Sequence, residues 1–183
     1  MNITPTPLEG CLLIQPRVIS DERGYFMESF NEQTFKALTG MDVHFVQDNE
    51  SQSTKGVLRG LHYQVGDFAQ AKLVRVTQGA VWDVAVDIRP GSKTFGQHFG
   101  TLLSAELKNQ LFIPRGFAHG FLVLTDTAVF SYKCDNFYHK DSEAGIIWND
   151  SDLQIDWYDV PETFIISEKD KNQPTFQNHR AVW

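Results

Sequence analysis

Two histidines in glycine-containing motifs are the residues of this chain best suited to do chemistry. His62 lies in the run Arg59-Gly60-Leu61-His62-Tyr63-Gln64, and His119 lies further along in the run Pro114-Arg115-Gly116-Phe117-Ala118-His119-Gly120-Phe121. Both runs are typical of short strands, so a β-rich fold could bring the two imidazoles into one barrel interior. There they would serve either as metal ligands or as acid–base groups.

The metal alternative can be judged from the spacing of ligands. Metal sites inside β-barrels of this kind typically take two histidines separated by one residue, then a glutamate, and a third histidine from a later strand. Gln64 stands where the second histidine would be, and no glutamate is found at the expected short distance. Two imidazoles without a carboxylate make a poor site for a hard metal. The remaining histidines lie in contexts without ligand spacing, namely His44, His98, His139 and His179. We therefore predict no metal site and favour acid–base chemistry.

The net charge narrows the class of ligand. The chain carries a formal net charge of −7 and has no run of lysine and arginine. This argues against a nucleic-acid partner, because binding the phosphates of a duplex needs a concentrated basic face. Taken singly, Arg59, Lys72 and Arg115 would each be a solvated surface charge. Their clustering in or near the histidine motifs keeps an anionic small-molecule ligand open.

Length and cysteine content indicate one domain in a reducing compartment. A chain of 183 residues can bury roughly 70% of its unfolded surface without a disulfide scaffold, and we predict a single domain over residues 1–183. Cys11 and Cys134 are too few and too far apart for a framework, so buried thiols are expected. The N-terminus lacks the basic and apolar regions of a signal peptide, and no apolar run is long enough to span a membrane. We therefore predict a cytoplasmic protein without a membrane partner.

The elements that must position the two histidines are predominantly strands. Runs of β-branched and aromatic residues bounded by turn residues predict strands over residues 73–76, 81–88, 99–103, 110–113, 120–124 and 128–133. Residues 77–80 form a hairpin-like break between the first two, and residues 163–167 are a last strand or a covering piece. Many short strands at this spacing predict an all-β sandwich or jelly roll.

Helix is scarce in the predicted fold. The clearest candidate covers residues 31–38, with Asn31 as the N-cap and Gly40 just beyond the end. Phe35 and Leu38 lie on one face of this helix.

Strand alternation identifies two polar side chains in unusual places. Along residues 81–88 the even positions form a fully apolar face, and Asp83 shares the opposite face with Ala85. Asp83 therefore either points into a cavity or is a solvent-facing carboxylate on a half-exposed strand. Tyr132 shares a face with Phe130 and Cys134, which predicts a buried ring. Only a substrate next to its hydroxyl would make such a tyrosine catalytic.

Taken together, these motifs resemble one family. The matching runs, in order along nearly the whole chain, are Asp21-Glu22-Arg23-Gly24-Tyr25-Phe26, Gln47-Asp48-Asn49-x-Ser51-x-Ser53, the two histidine motifs, Lys72-Leu73-Val74, Tyr132-Lys133-Cys134, Gly145-Ile146-x-Trp148-Asn149-Asp150 and Ser167-x-Lys169-Asp170. They are similar to those of the dTDP-4-dehydrorhamnose 3,5-epimerase family. The resemblance implies a cupin-like, all-β jelly roll with a few short helices, no metal, no cofactor and a homodimer.

The resemblance also implies a reaction. The family's substrate is a thymidine-diphosphate-linked 4-keto-6-deoxyglucose, whose C3 and C5 protons are acidified by the C4 carbonyl between them. Inversion through an enolate needs a base, an acid on the opposite face and positive charge near the oxyanion. By resemblance His62 is the base, oriented and charge-balanced by Asp170, and Tyr132 is the acid. Lys72 is the natural partner of the oxyanion.

The remaining substrate contacts are carried over from the family in the same way. Arg23, Phe26 and Glu28 reach across from the partner subunit. Arginine suits a pyrophosphate because its forked donors meet the oxygens bidentately. Tyr138 is expected to stack on the thymine, and the other implied contacts are Gln47, Asp48, Asn49, Arg59, His119, Glu143 and Lys169. For Gln47, Asn49 and Glu143 the alternative is a structural hydrogen bond.

Two rival functions stay open on the sequence. Relatives that epimerise at C5 only or at C3 only share nearly all of these residues and differ around the sugar. The other rival is a non-catalytic cupin that binds a sugar nucleotide and whose histidines are satisfied core groups. The presence of both His62 and Tyr132 favours the enzyme. The predicted function is therefore double epimerisation of dTDP-4-dehydro-6-deoxy-D-glucose to dTDP-4-dehydro-L-rhamnose, in dTDP-L-rhamnose biosynthesis.

Overall fold

The computed structural model describes residues 1–158 and 163–183, and strands are its dominant regular element. In chain order the elements are β1 (Asn2–Pro5), β2 (Leu12–Gln15), β3 (Val18–Asp21), β4 (Gly24–Met27), α1 (Glu32–Thr39), β5 (Gln47–Thr54), β6 (Val57–Gln64), β7 (Lys72–Gln78), β8 (Ala80–Asp87), β9 (His98–Ser104), β10 (Gln110–Ile113), β11 (Phe117–Val123), β12 (Thr127–Cys134), β13 (Glu143–Gly145), β14 (Ile165–Ile166) and α2 (Glu168–Lys171). Within the described ranges, no helix is long and apolar enough to cross a membrane.

The strands form two large sheets and a small ribbon. The first sheet has the order β1-β2-β10-β7-β12-β5. The second has the order β13-β6-β11-β8-β9, and β14 joins it in parallel to β6. Strands β3 and β4 pair separately as an antiparallel ribbon. Most neighbours in the large sheets are distant in sequence, as in a jelly roll, so the predicted fold class is confirmed.

Apolar side chains from both sheets share one core. Val74 and Val76 of β7 are buried in the same cluster as Val81 of β8. Phe121 of β11 and Phe130 of β12 belong to it too, and their rings stack with centroids 4.2 Å apart. Because β7 and β12 belong to one sheet and β8 and β11 to the other, this cluster holds the two sheets face to face.

A second cluster fastens the C-terminal segment to the outer side of the second sheet. Leu58 and Leu61 of β6 are buried together with Ile146, Trp157 and Val182. Burial of such side chains stabilises by about 1.5–3 kcal/mol each, which is enough to hold a segment that has little regular structure of its own. The segment includes β14, so the prediction of a last strand or covering piece at residues 163–167 is confirmed. It also brings α2 into contact with β6.

The predicted helix forms as α1 with the expected caps. The Asn31 side chain accepts a hydrogen bond from the N–H of Thr34, and Gly40 ends the helix in the left-handed conformation at φ 72°. Phe35 is buried and packs against Phe112 with ring centroids 5.1 Å apart. Leu38, on the same predicted face, is 54% exposed. A helix of only eight residues rests on the sheet through one side chain.

All six strands predicted over residues 73–133 are confirmed as β7 to β12. The prediction that residues 77–80 form a hairpin-like break is wrong, because β7 and β8 do not pair with each other. β7 pairs with β10 and β12 in the first sheet, whereas β8 pairs with β9 and β11 in the second. Gly79 makes the sharp crossing between sheets at φ 74°, where a Cβ would lie 2.1 Å from the carbonyl oxygen of Thr127. Only glycine fits this position.

Strand β5 is absent from the sequence prediction because its residues have low strand propensity and no apolar alternation. It forms because its backbone pairs with β12 along the whole length, from Gln47 opposite Cys134 to Thr54 opposite Thr127. Exposure alternates along the strand, and the odd-numbered residues are the less exposed ones. One face of this polar strand is therefore directed into the protein.

Candidate active site

The two histidine motifs form neighbouring strands. His62 on β6 and His119 on β11 are direct partners in the antiparallel ladder, and such partners project from the same face with Cβ atoms about 5 Å apart. The adjacent glycines allow the strands to approach this closely. A Cβ on Gly60 would lie 2.6 Å from Cα of Gly120, and a Cβ on Gly120 would lie 2.7 Å from the carbonyl oxygen of Arg59. Both imidazoles line one cavity as a result.

Asp170 holds the His62 ring. Nε2 of His62 lies 2.6 Å from Oδ1 of Asp170, whose side chain is almost fully buried. Helix α2 places this carboxylate, and Ser167 caps the helix by accepting a hydrogen bond from the N–H of Asp170. Burial by itself would raise the pKa of Asp170, but the hydrogen bond and charge of His62 outweigh it and hold that pKa below its ordinary value. The ionised carboxylate fixes Nε2 as the donor and leaves Nδ1 as the basic nitrogen.

Asp83 on β8 holds His119 in a similar way. Nε2 of His119 lies 2.9 Å from Oδ2 of Asp83. Asp83 has no solvent exposure, and within the described ranges its Oδ1 has no hydrogen-bond partner. Of the two alternatives for Asp83, the interior position is therefore correct. The His119 ring also stacks with Phe130 at a centroid distance of 5.9 Å, which restricts its orientation.

Tyr132 and Lys72 stand in the opposite sheet. The Lys72 ammonium lies 5.9 Å from the centroid of the Tyr132 ring. Burial raises the pKa of Tyr132, so its hydroxyl keeps its proton at neutral pH. Burial lowers the pKa of Lys72, and no side chain of the described residues accepts a hydrogen bond from its ammonium. The ammonium is therefore available to an anionic group in the cavity.

Two adjoining cavities share His62, Lys72 and Tyr132. The smaller, of about 160 Å³, is also lined by Ser51, Arg59, His119, Gly120, Phe121 and Phe130. The larger, of about 310 Å³, is also lined by Gln47, Asn49, Tyr63, Gln64, Gln70, Tyr138 and Glu143. In the part of the chain that the structure describes, no group of three or more His, Cys, Asp or Glu residues is arranged to hold a metal ion.

A polar network edges the larger cavity. Glu143 accepts a 3.2 Å hydrogen bond from the Tyr138 hydroxyl and forms a 2.6 Å ion pair with Lys169. Burial would raise the pKa of Glu143, but Lys169 outweighs it and holds the pKa below its ordinary value. The backbone N–H of Tyr138 donates to Gln47, whose amide donates in turn to Asn49. Structural hydrogen bonds are the alternative to substrate binding for Gln47, Asn49 and Glu143. All three form hydrogen bonds within this network.

Arg59 lines the smaller cavity and donates from Nε to the Ser53 hydroxyl at 3.1 Å. This contact leaves the outer nitrogens of the guanidinium for a ligand. Arg115, the third cation near the histidine motifs, has a different place. Its Nε pairs with the Asp135 carboxylate at 2.7 Å, and it lines neither cavity.

Five predicted contacts line neither cavity of this subunit. One of them, Lys169, is held at the edge of the larger cavity by its ion pair with Glu143. Strand alternation sends Asp48 to the face of β5 opposite Gln47 and Asn49, where it forms a 2.8 Å ion pair with Lys133. The structure therefore does not bring Asp48 to the site.

Arg23, Phe26 and Glu28, the other three, lie on or next to the β3–β4 ribbon and are exposed. Arg23 forms an ion pair with Asp21 in the same ribbon.

Sequence reasoning passes over several residues that shape the site. Ser51 lines the smaller cavity, and the buried Ser53 orients Arg59. Gln64 accepts from the N–H of His139 at 2.7 Å and donates to the carbonyl of Phe137, which holds the loop that carries Tyr138. The signal that could have found the serines is the alternation of polar residues along β5. It becomes readable only when β5 is recognised as a strand.

Comparison with known proteins decides the family. A family model described as dTDP-4-dehydrorhamnose 3,5-epimerase matches residues 5–178. The chain belongs to this epimerase family.

Individual members of the epimerase family are similar over nearly the whole chain. The dTDP-4-dehydrorhamnose 3,5-epimerase of Escherichia coli is 57% identical over 173 residues, which is 93% of this chain and 92% of that protein. The crystal structure of the enzyme of the same name from Elizabethkingia anophelis has 59% identity and a TM-score of 0.94, with 97% of each chain covered. A dTDP-6-deoxy-D-glucose-3,5-epimerase from Legionella pneumophila, solved in complex with dTDP-4-keto-L-rhamnose, has 49% identity and a TM-score of 0.93 and covers 97% of this chain and 93% of its own.

The resemblance inferred from the motifs is confirmed by these matches. The chain is an epimerase of the isomerase class by family, and its cavities hold the kinds of group that epimerisation needs. An imidazole with a buried carboxylate, a neutral phenol and an ammonium meet around one space.

Proposed function

We propose that the protein epimerises dTDP-4-dehydro-6-deoxy-D-glucose at C3 and C5 to dTDP-4-dehydro-L-rhamnose, in dTDP-L-rhamnose biosynthesis. The observation that carries the proposal is the His62–Asp170 pair, which shares one cavity with the Tyr132 hydroxyl and the Lys72 ammonium. The ligand of the Legionella relative, dTDP-4-keto-L-rhamnose, is the product expected of this reaction and supports it.

The first step is removal of a proton next to the C4 ketone. His62 accepts it at Nδ1 and becomes an imidazolium. Asp170 stabilises that cation through the 2.6 Å contact to Nε2. Because the carboxylate is buried and ionised, its charge acts at short range with little screening. The Asp170 side chain therefore stabilises the positive charge that forms on His62 without taking the proton itself.

The second step is delivery of a proton to the opposite face of the enolate. The Lys72 ammonium stabilises the oxyanion at C4, since it has no competing partner in the described residues. Tyr132 then donates its hydroxyl proton. Its raised pKa keeps the hydroxyl protonated until the carbanion is formed beside it. No metal or nicotinamide takes part in the proposed steps.

The sugar nucleotide is bound across the two adjoining cavities. Arg59 offers forked donors for the pyrophosphate, and Lys169 offers a second cation once its ion pair with Glu143 is exchanged for a phosphate oxygen. Tyr138, 54% exposed at the edge of the cavity, is suited to stack on the thymine. Gln47, Asn49 and His119 supply hydrogen-bonding groups at the sugar.

The active form is a homodimer in this proposal. The β3–β4 ribbon exposes Arg23 and Phe26, with Glu28 just beyond it, and none of the three lines a cavity of its own subunit that contains His62. We infer that they complete the site of the partner subunit, where Arg23 adds positive charge for the pyrophosphate and Phe26 adds an apolar contact. The protein acts in the cytoplasm, where nucleotide sugars are made and thiols such as Cys11 and Cys134 stay reduced.

Nuclear magnetic resonance of the substrate in deuterated water tests the function directly. The purified protein should introduce deuterium at both C3 and C5 without added metal or nicotinamide, and a chelator should not reduce the rate. Both carbons flank the same ketone, so the same base can reach an acidified proton at each. Exchange at one carbon only would show a mono-epimerase. Loss of exchange with chelator would refute the metal-free mechanism, and binding without any exchange would show a non-catalytic sugar-nucleotide binder.

A further inference from the structure

Under the proposed function, on which this inference rests, two inversions at one site raise a problem of proton balance. In the D-gluco ring the hydrogens at C3 and C5 lie on the same face. Both must therefore leave toward one base, and both replacements must arrive from the opposite face. After the first inversion His62 has gained a proton and Tyr132 has lost one. Each must return to its starting state before the second inversion, because a protonated base and an ionised acid cannot repeat their steps.

A second carboxylate–imidazole pair, whose imidazole lines the smaller cavity, takes no part in the proposed proton transfers. His119 and Asp83 are both nearly or fully buried, and Nε2 of His119 lies 2.9 Å from Oδ2 of Asp83. Oδ1 of Asp83 has no partner among the described residues, so His119 is the one hydrogen-bonding group that compensates this carboxylate there. A buried carboxylate without opposite charge is strongly unfavourable. The Asp83 carboxylate is therefore placed against Nε2 of His119, where it faces any positive charge that forms on the ring, as Asp170 does for His62.

His119 shares a cavity with both groups that must be reset. On one side its partner in the ladder is His62. On the other side its ring stacks with Phe130, and Phe130 packs against the Tyr132 ring at a centroid distance of 6.0 Å. His62, His119 and Tyr132 line the same cavity of about 160 Å³. The other cations that line it are Lys72, which is engaged with the enolate oxygen, and Arg59, which does not release a proton at neutral pH.

We propose that His119, held by Asp83, is a proton relay that resets the site between the two inversions. The His119 imidazolium gives its Nδ1 proton to the Tyr132 phenolate, which becomes a hydroxyl. Neutral His119 then accepts the proton that His62 carries. The sum is one proton moved from His62 to Tyr132, with no change in electrons and no other reactant. Asp83 is a positioning residue, because it keeps Nε2 of His119 occupied and leaves Nδ1 for the transfer.

The variant Asp83→Asn tests the relay. Asparagine keeps the shape and an oxygen that accepts from Nε2, but it removes the charge that stabilises the imidazolium. Nuclear magnetic resonance in deuterated water follows the mono-epimerised sugar and the doubly epimerised product separately. We expect the first inversion to stay within about threefold of wild type and the second to slow by at least about tenfold, a conservative effect for a lost proton-transfer group. The mono-epimerised sugar should then accumulate, and added imidazole should restore the second inversion.

Two further variants make the test specific. His119→Gln also removes a hydrogen-bonding group at the sugar, so it should slow both inversions, the second by at least about tenfold more than the first. That difference carries the test alone if Asp83→Asn does not fold. Ser51→Ala is the matched control, because Ser51 lines the same cavity but has no part in the relay. It should change both inversions by the same factor.

The outcomes separate the relay from the proposed function. The relay would be overturned if Asp83→Asn and His119→Gln slowed both inversions equally and the mono-epimerised sugar did not accumulate. Exchange at both carbons by the wild type would still uphold the proposed function. Wild-type protein that exchanges at neither carbon would overturn the function and the relay together. A second inversion that does not respond to imidazole in the variants would also count against a proton-transfer role.

Discussion

Replacing Asp170 with asparagine tests the centre of the mechanism. Asparagine can still accept a hydrogen bond from Nε2 of His62, so Asp170→Asn removes the charge and keeps the contact. Two unit charges about 4 Å apart in an effective dielectric of about 20 interact with about 4 kcal/mol. That energy corresponds to about a thousandfold in rate if the full imidazolium is present in the transition state.

Solvent in the cavity reduces this magnitude. The His62 side chain is 32% exposed, whereas that of Asp170 is 4% exposed. Screening on the histidine side lowers the interaction, so we expect kcat for deuterium exchange to fall between about a hundredfold and a thousandfold. The KM for the substrate should change little, because Asp170 stabilises charge that appears only after the proton is taken.

The matched control is Glu168→Gln in the same helix. Glu168 is exposed, and among the described residues its side chain pairs only with Lys171 on the surface. Loss of its charge should therefore leave exchange within about twofold of wild type. Exchange and inversion are measured by nuclear magnetic resonance at saturating substrate, and thermal unfolding checks that both variants are folded. If Asp170→Asn slows exchange by less than about tenfold while His62→Ala abolishes it, the carboxylate does not stabilise the imidazolium and the assigned division of roles is wrong.

Other substitutions test the base and the acid, the dimer and a buried ion pair. His62→Ala should abolish both deuterium exchange and inversion. Tyr132→Phe should still exchange deuterium with retention of configuration, while inversion falls by at least about a hundredfold. Equal loss of exchange and inversion in Tyr132→Phe would show that the hydroxyl also stabilises the enolate. Mixing inactive His62→Ala and Arg23→Ala subunits should restore partial activity, because some hybrid dimers contain one intact site, and no recovery despite demonstrated subunit exchange would place Arg23 in its own subunit's site. Burial opposes ionisation of Asp87, but hydrogen bonds from Arg89 and two hydroxyls lower its pKa from 3.8 to about 2, so Asp87→Asn should reduce the free energy of unfolding by about 2 kcal/mol at neutral pH. A carboxylate whose pKa is lowered by folding stabilises the folded state at pH values above its unfolded pKa. In chemical denaturation, the difference in unfolding free energy between wild type and Asp87→Asn should therefore shrink as the pH falls from about 4 toward 2. A difference that does not depend on pH would exclude the charge of Asp87 as its source.

The strands from β7 to β12 could be predicted because each carries a short run of apolar, β-branched or aromatic residues bounded by turn residues. Strand β5 could not, because its residues are all polar and its stability comes from backbone pairing with β12, a partner far along the chain. The same long-range pairing decides that Gln47 and Asn49 face the site while Asp48 faces away.

The sequence alone determined the residue types, their motifs and the faces of the strong strands. It therefore sufficed for the family and for choosing His62 and Tyr132 as the base and acid of the proposed reaction. It also sufficed to show that the metal motif lacks its second histidine. These properties are local, since a motif or an alternation is complete within a few residues.

Only the tertiary structure decided which groups meet. It set His62 beside His119, brought Asp170 from the C-terminal segment to Nε2 of His62, and paired Asp83 with His119. It also sent β7 and β8 into different sheets through Gly79. These contacts join residues from distant strands, and local periodicity carries no information about which strand will become a neighbour, because pairing is selected by burial over the whole fold.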